Sequence, residues 1–593
     1  MKYGQIIQSE KMQTCTRLFC TRNLRFSSSP DVYIADRYRD IDWKRCSYSL
    51  QEKQAEIVWA YKKEKNLTKI FELQHSLVRS FAARALAVKK VTSNKGKSTP
   101  GIDNAIWSTD DDKWSAISSL RDLSRYKAKP VRRVYIPKSD GSLRPLGIPT
   151  MFDRTVQTLW YFALSPIAEE TADKRSYGFR PYRSPHDCAT YLRLVAGSYT
   201  ATRRYVLDAD IKAFFDSVSH EWLLSNIPMD KRILGEFLKA GFISKDFFEE
   251  TPEGFPQGAV ISPTIANMTL DGLEDTLGKE FLLTRYADDF VILGKTKNSL
   301  SKEALPAVNE FLKQRGLQLN LNKTKIVSID EGFEFLGFFF REYPDSNRKK
   351  GTKQGIFLVK PSPDKVKKFK KKLSEIVKDH KHKHPTMLII KLNQVLRGWS
   401  EYYRVVTSTK CSNSISKHLF LIIWKMLKTR HRKVPRKTLV KRYFTKVGNL
   451  RWVFYGPPLS LPGNEKTIDK VTLFQINYVK MTRHTLCLPL NPYDPENYSY
   501  FQKRLARSPI PMAKNKRTFE RLFKSQKGLC PVCHIPLMEY DDTSEIHHRV
   551  PRAKGGSDKF KNLLLLHKSC HLQVTHTKNP KLLAAFKDSG IIR

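Results

Sequence analysis

Tyr286-Ala287-Asp288-Asp289 stands between two apolar runs, Phe281-Leu282-Leu283 and Phe290-Val291-Ile292-Leu293. The pattern predicts strand, tight turn, strand, with two carboxylates side by side at the turn. Adjacent ionised carboxylates repel, so such a pair usually answers to a cation. Hard oxygen donors suit Mg²⁺, which is held by one or two protein carboxylates plus substrate phosphates. An isolated Asp-Asp turn is more often just a solvated hairpin end, so the weight falls on its neighbours.

Upstream, Tyr205-Val206-Leu207-Asp208-Ala209-Asp210 reads as a buried strand ending in carboxylates. It brings Asp210 against the Asp288/Asp289 turn if the two strands pair. Gly254-Phe255-Pro256-Gln257-Gly258 is a turn, and Ile261-Ser262-Pro263 opens a helix through Ile265, Met268, Leu270 and Leu273. Glycines that permit close backbone approach set Gln257 well against a nucleic-acid strand. Downstream, the runs Leu317 to Lys325 and Phe333 to Phe338 have strand character, with Lys323 available near a bound phosphate.

Further upstream, Val134 to Pro149 predicts a hairpin around an Asp140-Gly141 turn. Lys138 and Arg144 then face each other across its strands. A lysine point charge and an arginine fork could clamp a triphosphate, whereas an isolated hairpin would simply solvate them. Tyr177-Gly178-Phe179-Arg180-Pro181-Tyr182-Arg183 mixes arginines with aromatics, which suits phosphate contacts with base or sugar stacking. Tyr48 to Val91 carries helical apolar spacing. Gly96-Lys97-Ser98 is not a phosphate loop, because Val91 stands where the upstream glycine is required.

The bulk composition agrees with a nucleic-acid partner. The 593 residues suit about three to five domains, and 40% apolar content suits packed cores. A net charge of +47, with pI near 9.9, would self-repel without a polyanion. The longest uncharged apolar runs, such as Leu419 to Trp424, fall far short of the ~20 residues a bilayer helix needs. No membrane is therefore expected as a partner. Residues 1–30 are basic and contain serines, with Glu10 the only acid. They read as a disordered start, compatible with an organelle transit peptide, and show no signal-peptide core. Nine scattered cysteines make no disulfide framework and indicate a reducing compartment.

The ordered series Lys138/Arg144, Gly178-Phe179-Arg180-Pro181, Asp210, Pro256-Gln257-Gly258, Tyr286-Ala287-Asp288-Asp289, Lys323 and Leu336-Gly337 resembles the successive sequence blocks of a reverse transcriptase. The upstream helices and the Gly96-to-Asp103 loop resemble the N-terminal extension of group II intron-encoded reverse transcriptases. Leu396-Arg397-Gly398-Trp399-Ser400-Glu401-Tyr402-Tyr403-Arg404 is similar to the maturase (thumb) signature of that family. It lies on an amphipathic helix behind the lysines of 365–372, so the bundle could grip an RNA–DNA duplex by its phosphates.

At the C-terminus, Cys530-Pro531-Val532-Cys533 and His567-Lys568-Ser569-Cys570 have the spacing of a closed, structural Zn²⁺ site. Between them lie Glu545-Ile546-His547-His548 and Asn562, and His571 follows directly. This resembles the ββα-metal fold of HNH nucleases. The resemblance implies His548 as general base, His547 and His571 as ligands of Mg²⁺ or another divalent ion, and Asn562 as the residue orienting the loop and holding His548. The third ligand stays open, because His576 rather than position 575 carries the last histidine.

The resemblance implies an α+β multidomain chain: 1–45, a basic N-terminal segment; 46–345, reverse transcriptase fingers and a palm with an antiparallel sheet; 346–428, an α-helical thumb; 429–515, a basic DNA-binding region; and 516–593, the HNH nuclease. The chemistry implied is attack of a primer 3′-hydroxyl on the α-phosphate of a dNTP, with two Mg²⁺ ions. Asp210 and Asp288 are the main ligands, Asp289 lies beside them, and the Ile211 carbonyl is a further candidate. Lys138 and Arg144 hold the triphosphate. Phe214, or Phe215 as the alternative, excludes a 2′-hydroxyl. The implied partners are intron RNA, double-stranded target DNA and dNTPs, with a homodimer left open. The setting is the bacterial cytoplasm, or a chloroplast or mitochondrial interior. Two other classes remain: a maturase acting only in splicing, and a reverse transcriptase of bacterial defence. The intact Asp pair and nuclease residues argue against the first, and the maturase signature against the second.

Overall fold

The computed structural model describes residues 37–137, 141–198, 202–244, 247–344, 355–460, 467–507, 517–538 and 544–593. The basic segment up to residue 36, and Lys138, lie outside the described residues. Among the described residues no helix is long and apolar enough to cross a membrane.

The chain first forms helices Trp43–Trp59, Leu67–Arg79 and Phe81–Ser93, each started by a side chain, from Asp42, Asn66 and Ser80, that accepts a backbone N–H of the first turn. The alanine-rich third helix is buried on nearly every side, because small side chains let neighbours approach closely on all faces. It packs against the long helix Met151–Thr171.

Two four-stranded sheets follow. Their strands are β1 (Val131–Pro137), β2 (Leu143–Ile148), β3 (Tyr205–Ala209), β4 (Phe242–Ser244), β5 (Phe247–Glu249), β6 (Leu282–Tyr286), β7 (Asp289–Gly294) and β8 (Lys325–Ser328). One sheet runs β2-β1-β4-β5 and contains the expected hairpin, with Ile136 opposite Arg144. The other runs β6-β7-β3-β8 and is antiparallel throughout. Its middle strands are apolar on both faces, with Val206, Leu207, Phe290, Val291, Ile292 and Leu293 all buried.

Two expectations need correction. The run from Leu317 is not a strand up to Lys325: it touches Ile211 through one isolated bridge at Leu319, then turns, and β8 begins only at Lys325. The helix opened by Ser262 stops at Leu270. It restarts at Leu273 after Gly272 adopts φ +91°, a conformation that suits a residue without Cβ.

Beyond this sheet a hairpin turns at Leu336-Gly337 between Phe333–Phe335 and Phe338–Tyr343. Helices Pro363–Asp379, Pro385–Tyr403 and Thr409–Arg430 close a separate core that includes Leu373, Leu392, Leu396, Ile415 and Leu419. Tyr402 and Tyr403 tie it to that hairpin by donating to the Leu336 and Gly337 carbonyls. The basic region after Lys428 forms the helix Arg436–Tyr443 and short strands. It then returns to the centre, where buried Asp187 accepts from Arg504 and from the Cys487 N–H. The C-terminal cassette is a hairpin, Ser544–His548 with Leu563–His567, followed by helix Lys568–His576. Its apolar core is continuous with that of the N-terminal helices.

Candidate active sites

Antiparallel pairing of β3 with β7 runs from Tyr205 opposite Gly294 to Ala209 opposite Phe290. Asp210 therefore leaves β3 beside the turn joining β6 to β7, where Tyr286 pairs with Asp289. The turn is only Ala287-Asp288, with Ala287 at φ +59°. A non-glycine residue held there indicates that the surroundings enforce the turn. Gly178 presses on it, and the Asn267 amide donates to the Gly178 carbonyl at 2.8 Å.

The carboxylates are crowded. Burial, then Asp288, Asp210 and Asp208, push Asp289 up to about 6. Asp288 is raised by burial first and Asp210 next, while the Arg144 charge opposes the rise. Asp208, two residues before Asp210 and so on the same strand face, is also raised by burial. Lys323 Nζ lies 3.0 Å from an Asp210 carboxylate oxygen, the Asn320 amide donates to that oxygen at 3.3 Å, and Lys325 reaches Asp208 at 3.7 Å. Several acids whose charged forms are disfavoured by burial and by one another make a site that a bound cation would relieve.

Around this cluster, Arg144 is exposed on β2. The turn holding Gln257 is fastened to the same strand by the Gly147 N–H, which donates to the Gln257 carbonyl at 2.8 Å. Phe214 is buried in the core whereas Phe215 is half-buried, and both rings pack against Phe255. Arg180 and Arg183 do not present themselves to phosphate. Arg180 makes a two-pronged pair with buried Glu169 at 2.9 and 3.0 Å, and Arg183 joins the same carboxylate at 2.8 Å. A desolvated guanidinium needs a carboxylate and carbonyls at hand, and the arginine–aromatic loop is read correctly only once Glu169 is seen beneath it.

In the cassette, Cys530, Cys533, His567 and Cys570 bring their ligand atoms within 4.8 Å of one another, all buried. His567 Nε2 lies 3.1 Å from the Pro536 carbonyl, which makes Nε2 the donor and leaves Nδ1 for a metal. Three soft thiols and one imidazole form a donor set suited to zinc. On the paired strands, buried His547 packs its ring 5.2 Å from that of His571. Burial and the nearby His571 hold His547 down to about 4, so it stays neutral, the form that ligates metals. His571 Nδ1 lies 2.7 Å from Glu545, and His548 Nε2 lies 2.7 Å from Asp558. The Asn562 amide donates to the Val550 and Ser557 carbonyls and accepts from the Val550 N–H, pinning the loop after His548.

Four family models match the chain in succession. They describe the N-terminal domain of reverse transcriptase over 38–120, reverse transcriptase (RNA-dependent DNA polymerase) over 136–340, the group II intron maturase-specific domain over 366–444, and HNH endonuclease over 530–577. Protein YkfC of Escherichia coli (strain K12) is 34% identical over 302 residues, 43% of this chain and 78% of that protein. The group II intron-encoded protein LtrA of Lactococcus lactis subsp. cremoris is 25% identical over 600 residues, 83% of this chain and 93% of that protein. The chain belongs to the group II intron-encoded reverse transcriptases. A putative COX1/OXI3 intron 2 protein of Saccharomyces cerevisiae is 25% identical over 48% of this chain and 42% of that protein.

This group II intron-encoded reverse transcriptase is an RNA-directed DNA polymerase and an HNH endonuclease that also carries a maturase domain, and it serves intron mobility. The sequence alone assigns no role to several side chains that the fold gathers at its sites. They are Asp208, Asn320, Asp558 and the fully buried Arg285, which pairs with Asp271 beneath the Asp288 turn. Asp208 carried a signal in its two-residue offset from Asp210. Arg285 and Asp558 carried none, because their partners are brought in by tertiary packing.

Proposed function

We propose that this chain performs target-primed reverse transcription with a right-hand polymerase and a metal-dependent nuclease. Residues 46–345 supply fingers and palm, 346–428 the thumb, 429–515 DNA contacts and 516–593 the nuclease. The observation that carries the reading is the strand register that crowds Asp210 against Asp288 and Asp289, the latter two with raised pKa values.

Asp210 and Asp288, with Asp289 beside them, are oxygen donors that fit Mg²⁺, and His547 with His571 fits a second divalent site. When bound, these ions supply Lewis acidity, at the primer hydroxyl and departing pyrophosphate in one site and at the scissile phosphate in the other. The protein's own groups do the rest. Arg144, with Lys138, binds the triphosphate, Gln257 lies against the nucleic acid, and Lys323 exchanges its Asp210 partner for a phosphate. Phe214 or Phe215 meets the sugar; the resemblance favours Phe214, and the half-exposure of Phe215 favours the other ring. His548, held at Nε2 by Asp558, takes the proton of the attacking water at Nδ1, and Asn562 keeps the loop in place.

In this sequence of events the protein binds intron RNA as a ribonucleoprotein and the RNA enters one DNA strand. The nuclease then cuts the other strand, and its 3′-end primes synthesis from dNTPs. Primer extension on an RNA template tests the polymerase assignment. Asp288→Ala should lose about a thousandfold or more in rate, and equal extension by variant and wild type would overturn it.

A further inference from the structure

The cysteine–histidine tetrad of the cassette borders a residue from the opposite end of the chain. Lys89, 1% exposed in the middle of helix Phe81–Ser93, sets its Nζ 3.3 Å from Cys570 Sγ, across 481 residues of sequence. The same ammonium lies 4.3 Å from the centre of the Trp43 ring. No carboxylate pairs with it among the described residues. A lone ammonium buried this deeply is costly unless an anion faces it.

Zinc at three thiolates and a neutral imidazole supplies that anion. The complex carries a single negative charge, spread over its sulfurs, and sulfur accepts a charged N–H. The surrounding contacts run the same way. Gln573, three residues after Cys570, donates to the Arg39 and Ile41 carbonyls at 2.8 and 2.9 Å, and the Tyr48 hydroxyl meets His534 Nδ1 at 3.0 Å. The buried side chains Cys530, Cys533 and Cys570 share one core with Trp43, Cys46 and the alanines of Phe81–Ser93.

We propose that the zinc-loaded tetrad, with Lys89 as its outer charged partner, is a clamp that docks the nuclease cassette onto the N-terminal helices of the polymerase. Zinc occupancy then sets more than the fold of the cassette: it fixes where the nuclease stands relative to the polymerase. The inference rests on the zinc assignment, and the two fail separately.

Hydrogen exchange on the full-length chain, before and after zinc is withdrawn by a chelator, is the test. Exchange should rise in Trp43–Trp59 and Phe81–Ser93 as well as in the cassette. A rise confined to residues 517–593 refutes the clamp, whereas a purified chain that holds no zinc refutes the zinc assignment instead. Lys89→Met should speed zinc release to the chelator about 10- to 100-fold, the usual cost of losing an outer partner, and Lys89→Arg should restore slow release. Unchanged release from Lys89→Met rules out the role of Lys89. Should that variant fail to fold, the wild-type exchange experiment still decides the docking.

Discussion

Gly178 and Ala287 meet backbone to backbone: a Cβ on Gly178 would fall 2.3 Å from the Ala287 nitrogen. Neither backbone can yield without moving the turn that carries Asp288. Gly178→Ala is therefore expected to lower kcat for RNA-templated extension by about a hundredfold, the scale of an ångström-sized misplacement. The accompanying loss of stability should be only about 1–3 kcal/mol. Single-turnover extension and a thermal melt measure the two, and an unimpaired kcat would show that the turn does not depend on this contact.

Asp289 gives the metal-free chain a pH signature. Its pKa rises from 3.8 unfolded to about 6 folded, so the folded state holds the extra proton between those values. Stability from this group is present at low pH and falls as pH climbs through that window. A divalent cation competes with the proton, so Mg²⁺ should stabilise the chain progressively as pH passes about 6. Asp289→Asn should flatten the metal-free profile and weaken the Mg²⁺ response. Melting curves with and without Mg²⁺ across this range check both, and a Mg²⁺ effect independent of pH contradicts the crowding argument.

Discrimination against ribonucleotides separates two adjacent rings. Valine at the ring that meets the sugar should raise ribonucleotide incorporation on the order of tenfold to a hundredfold. Comparing Phe214→Val with Phe215→Val, each with both nucleotide types, identifies it. If neither changes the ratio, the sugar is selected elsewhere.

His548→Ala should reduce nicking of double-stranded target by about 10²- to 10⁴-fold, the range of a general base. Extension from a supplied primer should be unaffected. Asp558→Asn, which alters the partner of His548 Nε2 but leaves the imidazole, is expected to cost less. Nicking that persists in His548→Ala would move the base to another residue.

Much of the architecture is legible in the sequence alone. The apolar runs on either side of Tyr286-Ala287-Asp288-Asp289 predict β6, its turn and β7, because local apolar patterning and turn chemistry act over a few residues. The helical spacing before Val91 and the two-residue gaps of Cys530/Cys533 and His567/Cys570 were readable for the same reason. Where the sequence misled, the deciding partner lay on another element that only the fold brings alongside. Arg180 and Arg183 look like phosphate ligands until Glu169 is placed under them. The run from Leu317 to Lys325 looks like strand until its first part is found passing the end of β3 with one bridge.

By itself, then, the sequence determined which chemical groups this protein owns and which short elements present them: the carboxylate turn, the cysteine–cysteine and histidine–cysteine pairs, and the two adjacent histidines. Only the tertiary structure decided which charges stand together. The register of β3 against β7 sets Asp210 and Asp208 beside Asp289, Arg285 is neutralised under the turn by Asp271, and Lys89 reaches Cys570 from the far end of the chain. Spacing and alternation are local properties that a linear reading can count. Desolvation and Coulomb interaction depend on distances through space, and those exist only once the chain has folded.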